Sequence, residues 1–245
     1  MVEYWSADKS NTPTFHYSIA PFFWYMSSFS PPEVARRTER LLARLDATRR
    51  DVEQLCAEAR AERSHCVCVN GSYVQLACTL LEDSEVKVSG LIAFPLGAAD
   101  TDAKRFETEV AIDHGAHEIE VVLNLGRLKD GDHAYVLREM RDIAEAADER
   151  PVKVILEMGL LTPDEVRSAC EAALDSGVHC VCTGTGLRSA ATLQEVQTLR
   201  AVVGERFGVK ASSVSNAQTA LALLEAGATR LGTAANLTSS LPVAK

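Results

Sequence analysis

The chain has 245 residues, 47% of them hydrophobic, and a formal net charge of −9. That length suits one large domain, and the apolar fraction supplies a substantial core and excludes global disorder. The acidic balance leaves no basic stripe to neutralise phosphates, so nucleic acid is excluded as a partner. The seven cysteines contain no Cys-x-x-Cys pair, and their odd number and placement in apolar runs read as reduced thiols of a cytoplasmic protein.

Residues 1–32 differ in composition from everything after them. They hold Tyr4, Trp5, Phe15, Tyr17, Phe22, Phe23, Trp24, Tyr25 and Phe29, and Pro13, Pro21, Pro31 and Pro32 break any long helix. The segment reads as an aromatic arm, packed over its own domain or docked on a partner. Its apolar stretch 19–26 is short, has no basic flank before it and is broken by Pro21, so it reads neither as a signal peptide nor as a membrane span.

From residue 33 onward, helical and strand patterns alternate. Residues 33–45 read as a helix, with Arg36-Arg37-Thr38-Glu39-Arg40 as a solvent-facing charged surface. A second helix opens at Thr48, with Asp51 three residues on and Val52, Leu55, Cys56 and Ala59 along one face. Strands are predicted at 66–69, 86–94, 118–123, 152–156, 178–182, 208–210 and 230–232. Helices are predicted at 101–114, 134–147, 162–175, 192–203 and 216–225, and Thr162-Pro163-Asp164-Glu165 forms a capping box with proline at the first helical position. Apolar strands alternating with helices imply a parallel sheet buried on both faces. Seven strands are one short of a closed (β/α)₈ barrel, and the missing one is expected near 38–42. A doubly wound open sheet is the runner-up, lowered by the absence of a Gly-x-Gly-x-x-Gly turn. The expected fold is therefore an α/β TIM barrel over 33–245 behind the arm.

The residue types alone point to little metal chemistry. Alternation puts Cys66 and Cys68 on one strand face and Cys180 and Cys182 on another, but the two strands lie far apart around a barrel. Core packing is the reading for these thiols, and the six histidines, with no ligand spacing, read as solvated or structural. No metal and no cofactor are expected.

Several runs, taken in order, resemble the deoxyribose-phosphate aldolase family of class I aldolases. They are Cys68-Val69-Asn70-Gly71-Ser72-Tyr73-Val74, Phe94-Pro95-Leu96-Gly97, Glu118-Ile119-Glu120-Val121-Val122-Leu123-Asn124, Lys153-Val154-Ile155-Leu156-Glu157, Val181-Cys182-Thr183-Gly184-Thr185-Gly186, Val209-Lys210-Ala211-Ser212 and Ala226-Gly227-Ala228-Thr229-Arg230-Leu231-Gly232-Thr233. The resemblance spans roughly residues 34–237 and implies a barrel with its site at the C-terminal strand ends. It also implies a Schiff-base lysine at residue 182, where this chain carries Cys182, and a second lysine at Lys210. The family's aspartate of the proton relay corresponds to Glu120. The family's phosphate-contacting loops correspond to Gly186, Ser212, Ser213, Ala234 and Ala235, with shortened turns and a double glycine and two serines replaced. The family's first strand corresponds to Glu39-Arg40-Leu41.

Three functions remain open on this reading. The first is a catalytically degenerate binding or regulatory subunit, associating with itself or with an intact aldolase paralogue and retaining at most a weakened site for a phosphorylated sugar. The second is an active aldolase that cleaves 2-deoxyribose 5-phosphate to acetaldehyde and glyceraldehyde 3-phosphate through Lys210, whose pKa burial alone would have to lower. The third is an altered chemistry with Cys182 as nucleophile, its thiol pKa lowered by Lys210.

Overall fold

A computed structural model describes residues 29–235 and 237. The arm expected over 1–32 therefore lies almost wholly outside the described residues. Eight parallel strands close into a barrel in the order β1 to β8, each paired with its sequence neighbours and β8 with β1. In chain order the elements are α1 (Pro31–Ala35), β1 (Thr38–Leu42), α2 (Arg49–Glu62), β2 (Cys66–Asn70), α3 (Val74–Leu80), β3 (Lys87–Ile92), α4 (Thr101–Asp113), β4 (Glu118–Val122) and α5 (Leu125–Lys129). They continue as α6 (His133–Ala146), β5 (Val152–Ile155), α7 (Pro163–Ser176), β6 (Cys180–Cys182), α8 (Leu193–Val203), β7 (Gly208–Ala211), α9 (Ala217–Glu225) and β8 (Arg230–Thr233).

Each long helix starts where its cap residue says it should. Thr48, Thr162 and Thr192 accept from the backbone N–H three residues on, and Asp51, Glu165 and Glu195 reach back to close the box. The short helices α3 and α5 were not anticipated. No helix of the described residues is long and apolar enough to cross a membrane.

The helical pattern read over 33–45 gives way after residue 35, and the missing strand expected near 38–42 is β1. The chain is helical only over α1 and then turns into β1, which pairs with β2 through Glu39↔Cys66 and with β8 through Thr38↔Leu231. The charges of this stretch follow a period of two. Thr38 and Arg40 face outward, where Arg40 meets Glu58 at 2.7 Å and Glu62 at 2.6 Å on α2. Glu39 points inward and is wholly buried. The segment read as a solvated charged surface is thus a strand whose charges are paired on both faces.

The same alternation divides the core. Outward residues such as Val67, Val88, Ile119, Val154, Val181, Val209 and Leu231 join one large apolar layer with the helices. Burying each contributes about 1.5–3 kcal/mol. Inside the barrel, two small apolar clusters remain: Cys66, Cys68 and Leu91, and Val122, Ile155, Cys180 and Cys182. Phe94 packs against both.

Candidate active site

The rest of the interior is charged. Glu39 of β1, Glu118 and Glu120 of β4, Lys153 of β5 and Lys210 of β7 all occupy inward positions, and none is more than 9% exposed. The register explains the meeting, since Glu120 lies opposite Lys153 and Cys182 opposite Lys210 on adjacent strands. Lys210 Nζ donates to Glu120 Oε2 at 2.6 Å and to Glu39 Oε2 at 2.7 Å. Lys153 Nζ donates to the same Glu39 oxygen at 2.7 Å and lies 3.0 Å from Glu118 Oε2. Glu118 Oε1 is 3.0 Å from His65 Nε2, which joins the network to the N-terminal end of the barrel. Cys68 Sγ touches both Glu39 and Glu120, at 3.5 and 3.6 Å. Room for the Lys210 stem comes from Gly232, where an added Cβ would sit 2.9 Å from Lys210 Cε.

The electrostatics follow from this geometry. Burial opposes charge on Lys210, but Cys68, Glu120 and Glu39 outweigh it and hold its pKa well above that of a free lysine, with Lys153 pulling the other way. Burial likewise opposes charge on Lys153, and Glu39, with Cys68, Glu118 and Glu120, again prevails. Glu39 shows the mirror effect: despite burial, the two ammoniums depress its pKa far below the carboxylate range.

Two expectations are corrected here. Lys210 does not lack a neighbouring ammonium, because Lys153 shares its carboxylate oxygen. Nor does Lys210 make Cys182 acidic. Burial, a hydrogen bond with Cys180 and the Glu120 carboxylate raise the Cys182 pKa well above 9.0, and the Lys210 contribution is too small to reverse them. Cys182 is wholly buried and packs with Val122, Ile155 and Cys180.

Two sets of side chains place potential metal ligands within 4.8 Å of one another: Glu39, His65 and Glu118, and Glu39, Cys68 and Glu120. Lys153 already sits on the carboxylates of the first set and Lys210 on those of the second. A cation entering either set would meet an ammonium at hydrogen-bonding range of its ligands.

The loops after β6, β7 and β8 carry the remaining expected site residues. Gly186 and Ser213 face one another, since a Cβ on Gly186 would lie 3.2 Å from Ser213 Cβ. Ser213 has φ 59°, the left-handed region that glycine occupies without strain. Ser212 is buried, and its N–H donates to Thr183 Oγ1 at 3.1 Å. Ala234 and Ala235 are exposed, and the Ala235 N–H donates to Thr233 Oγ1 at 2.9 Å. The Thr185 N–H is taken by Glu157 Oε2 at 3.0 Å, and the Leu187 N–H by Thr185 Oγ1 at 3.3 Å. Four backbone donors of these loops thus point at the protein itself.

Lys153 carries no role in the sequence reading, and Glu39, matched there to the first strand but also read within a solvent-facing charged stretch, is wholly buried. The usable signal for Lys153 was a lone charge in the apolar run Val152-Lys153-Val154-Ile155, on the opposite strand face from its neighbours.

The comparisons agree with this architecture. A family profile described as DeoC/LacD family aldolase matches residues 37–226. The deoxyribose-phosphate aldolase of Bdellovibrio bacteriovorus is 43% identical over 208 residues, which cover 84% of this chain and 94% of that protein. Among solved structures, an aldolase designated QR15 superposes with a TM-score of 0.80 at 30% identity, covering 85% of this chain and 93% of that one. The tetrameric deoxyribose phosphate aldolase of Aeropyrum pernix gives 0.78 at 28% identity, covering 84% and 88%.

Proposed function

We propose, for a chain that belongs to the DeoC/LacD aldolase family, that it keeps the aldolase barrel without the imine-forming step and serves as a binding or regulatory member. One observation carries this reading: the two interior ammoniums are both held by carboxylates, and residue 182 is a buried thiol. An imine begins with attack by a neutral amine on a carbonyl carbon. Three interior glutamates against two lysines keep both amines protonated, and Lys210 is fixed between two oxygens at 2.6 and 2.7 Å. A thiol at residue 182 adds to a carbonyl only as thiolate, and its raised pKa disfavours that form.

The phosphate loops support the same reading. A cradle for a sugar phosphate needs backbone N–H groups aimed at the ligand. In this chain several of them donate to Glu157, Thr183, Thr185 and Thr233. We infer a weakened site for a phosphorylated sugar at the mouth, and association with a second copy or with an intact paralogue as the route to a regulatory role.

The alternative is a working aldolase that uses Lys210 on 2-deoxyribose 5-phosphate. Lys153 favours it, because a second ammonium on the same carboxylate oxygen lowers the Lys210 pKa. Borohydride reduction in the presence of 2-deoxyribose 5-phosphate, followed by intact-mass analysis, separates the two. The expected result is no adduct, with the Bdellovibrio bacteriovorus relative run alongside as the comparison. A substrate-sized adduct that disappears in Lys210→Ala, or in Lys153→Ala, would overturn the proposal and establish a relocated nucleophile.

A further inference from the structure

The N-terminal face of the barrel, opposite its mouth, carries a cluster that the aldolase reading does not use. Arg36 and Arg37 lie between α1 and β1, and Arg230 opens β8. The backbone brings them together, since the Leu231 N–H donates to the Arg37 carbonyl at 2.8 Å. With Glu33 these three arginines line a hollow of about 380 Å³.

Their guanidiniums have few partners among the described residues, and the one side-chain hydrogen bond among them runs from Arg230 Nη1 to the Thr229 carbonyl at 3.1 Å. Arg36 has no hydrogen bond or ion pair from its side chain among the described residues. Arg37 rests on the ring of Phe29, 5.1 Å from its centroid. Arg230 Nε lies 3.7 Å from Glu39 Oε1, beyond hydrogen-bonding distance, and that buried oxygen has no hydrogen-bond partner. The Glu33 carboxylate is engaged with the Ser30 N–H and hydroxyl at 2.7 and 2.6 Å. The hollow thus holds three guanidiniums against one lining carboxylate, in a chain whose net charge is −9. Gathering like charges costs energy unless an opposite charge joins them, and the planar guanidinium fork matches the oxygens of a phosphate.

We propose that this hollow binds a small phosphate dianion, either inorganic phosphate or the phosphate group of a metabolite. The ligand sits on the guanidiniums of Arg36, Arg37 and Arg230 and draws Arg230 away from Glu39. Its floor is therefore continuous with the interior network, because Glu39 also holds Lys153 and Lys210. The site stands whether or not the mouth performs imine chemistry.

Isothermal titration of the full chain with inorganic phosphate, and separately with glycerol 3-phosphate, tests this at ionic strength matched with sodium chloride. Saturable one-to-one binding is expected, and the ester arm tells whether the hollow admits a metabolite or only the free ion. Arg36→Gln and Arg37→Gln should each weaken binding about 10- to 100-fold, the loss of one charge-assisted contact. Arg36→Lys should restore part of it. Both side chains reach the surface, so thermal melting should show these variants folded. The proposal is overturned if sodium chloride alone competes the phosphate away. Binding unchanged in Arg36→Gln and lost in Ser213→Asp would place the phosphate at the mouth and refute the hollow. The absence of any heat with either ligand would refute it too.

Discussion

Replacing Glu118 with glutamine is the sharpest test of the interior charge network, because its magnitude can be worked out. Glu118 has Lys153 3.0 Å from one oxygen and His65 3.0 Å from the other. Burial pushes its pKa up, but the Lys153 ammonium and the His65 hydrogen bond more than reverse this, taking it from 4.5 to about 2. A carboxyl whose folded pKa lies below its unfolded one contributes stability that is complete above the unfolded value. That contribution is lost as pH falls from about 4.5 through about 2. The difference is worth about 3 kcal/mol, and roughly half of it should be gone at about pH 3. Urea unfolding at about pH 6 should therefore find Glu118→Gln less stable than the parent chain by about that amount, and the gap should narrow steadily toward pH 2. A gap that stays constant across this range would show that the charge of Glu118 does no work in the folded state. Lys153 would then not be held by a charged Glu118.

Three further outcomes follow from the same geometry. Lys210→Met should destabilise the fold by about 3–5 kcal/mol in chemical denaturation, because Glu39 and Glu120 lose an ammonium while buried; a loss below about 1 kcal/mol would mean the pair is not held as described. Ser213→Gly should stabilise by up to about 1–2 kcal/mol by relieving the left-handed backbone at φ 59°, read as a rise in melting temperature; a fall would show that the serine side chain has a compensating contact. Iodoacetamide on the native protein near neutral pH, followed by peptide mass mapping, should leave Cys182 unmodified until the chain is unfolded, since its thiol is buried and its pKa raised. Rapid labelling of Cys182 would revive the thiolate chemistry.

The alternation of apolar strands with capped helices was legible because both signals are local. Strands β2 and β6 are almost wholly Val and Cys, β4 and β5 set Val and Ile around their charges, and the capping boxes at Thr48, Thr162 and Thr192 announce helix starts in four residues. Strand β1 is legible only from the strand count and the resemblance, since its own pattern reads as helix because charge, not hydrophobicity, fills its positions. Thr38-Glu39-Arg40 looks like a solvated helix face until α2 supplies Glu58 and Glu62 on one side and the barrel supplies two lysines on the other. Those partners lie far away along the chain, as the contact of Glu39 with Lys210 illustrates. No local pattern could announce them. Lys153 escaped for the same reason, its carboxylates being contributed by β1 and β4.

This distribution of partners bears on the charge balance around Cys182. The resemblance implies a lysine there, and a third ammonium would match the three interior carboxylates one for one. With a thiol in its place the interior has Glu39, Glu118 and Glu120 against Lys153 and Lys210, an excess of one negative charge. Two details of the structure fit that excess. Glu39 Oε1 is buried without a hydrogen-bond partner, and Arg230 leans toward it from the N-terminal end at 3.7 Å. The excess also acts on chemistry, because the surplus carboxylate raises the lysine pKa values and moves both amines further from the neutral form that attacks a carbonyl. A compensating change would remove a carboxylate rather than add an amine. Glu120→Gln leaves Lys210 with Glu39 and the Cys68 sulfur and should lower its pKa. Borohydride trapping should therefore appear first in Glu120→Gln if the charge imbalance is what silences Lys210. Continued absence of an adduct in that variant would shift the cause from charge to the geometry of the buried mouth.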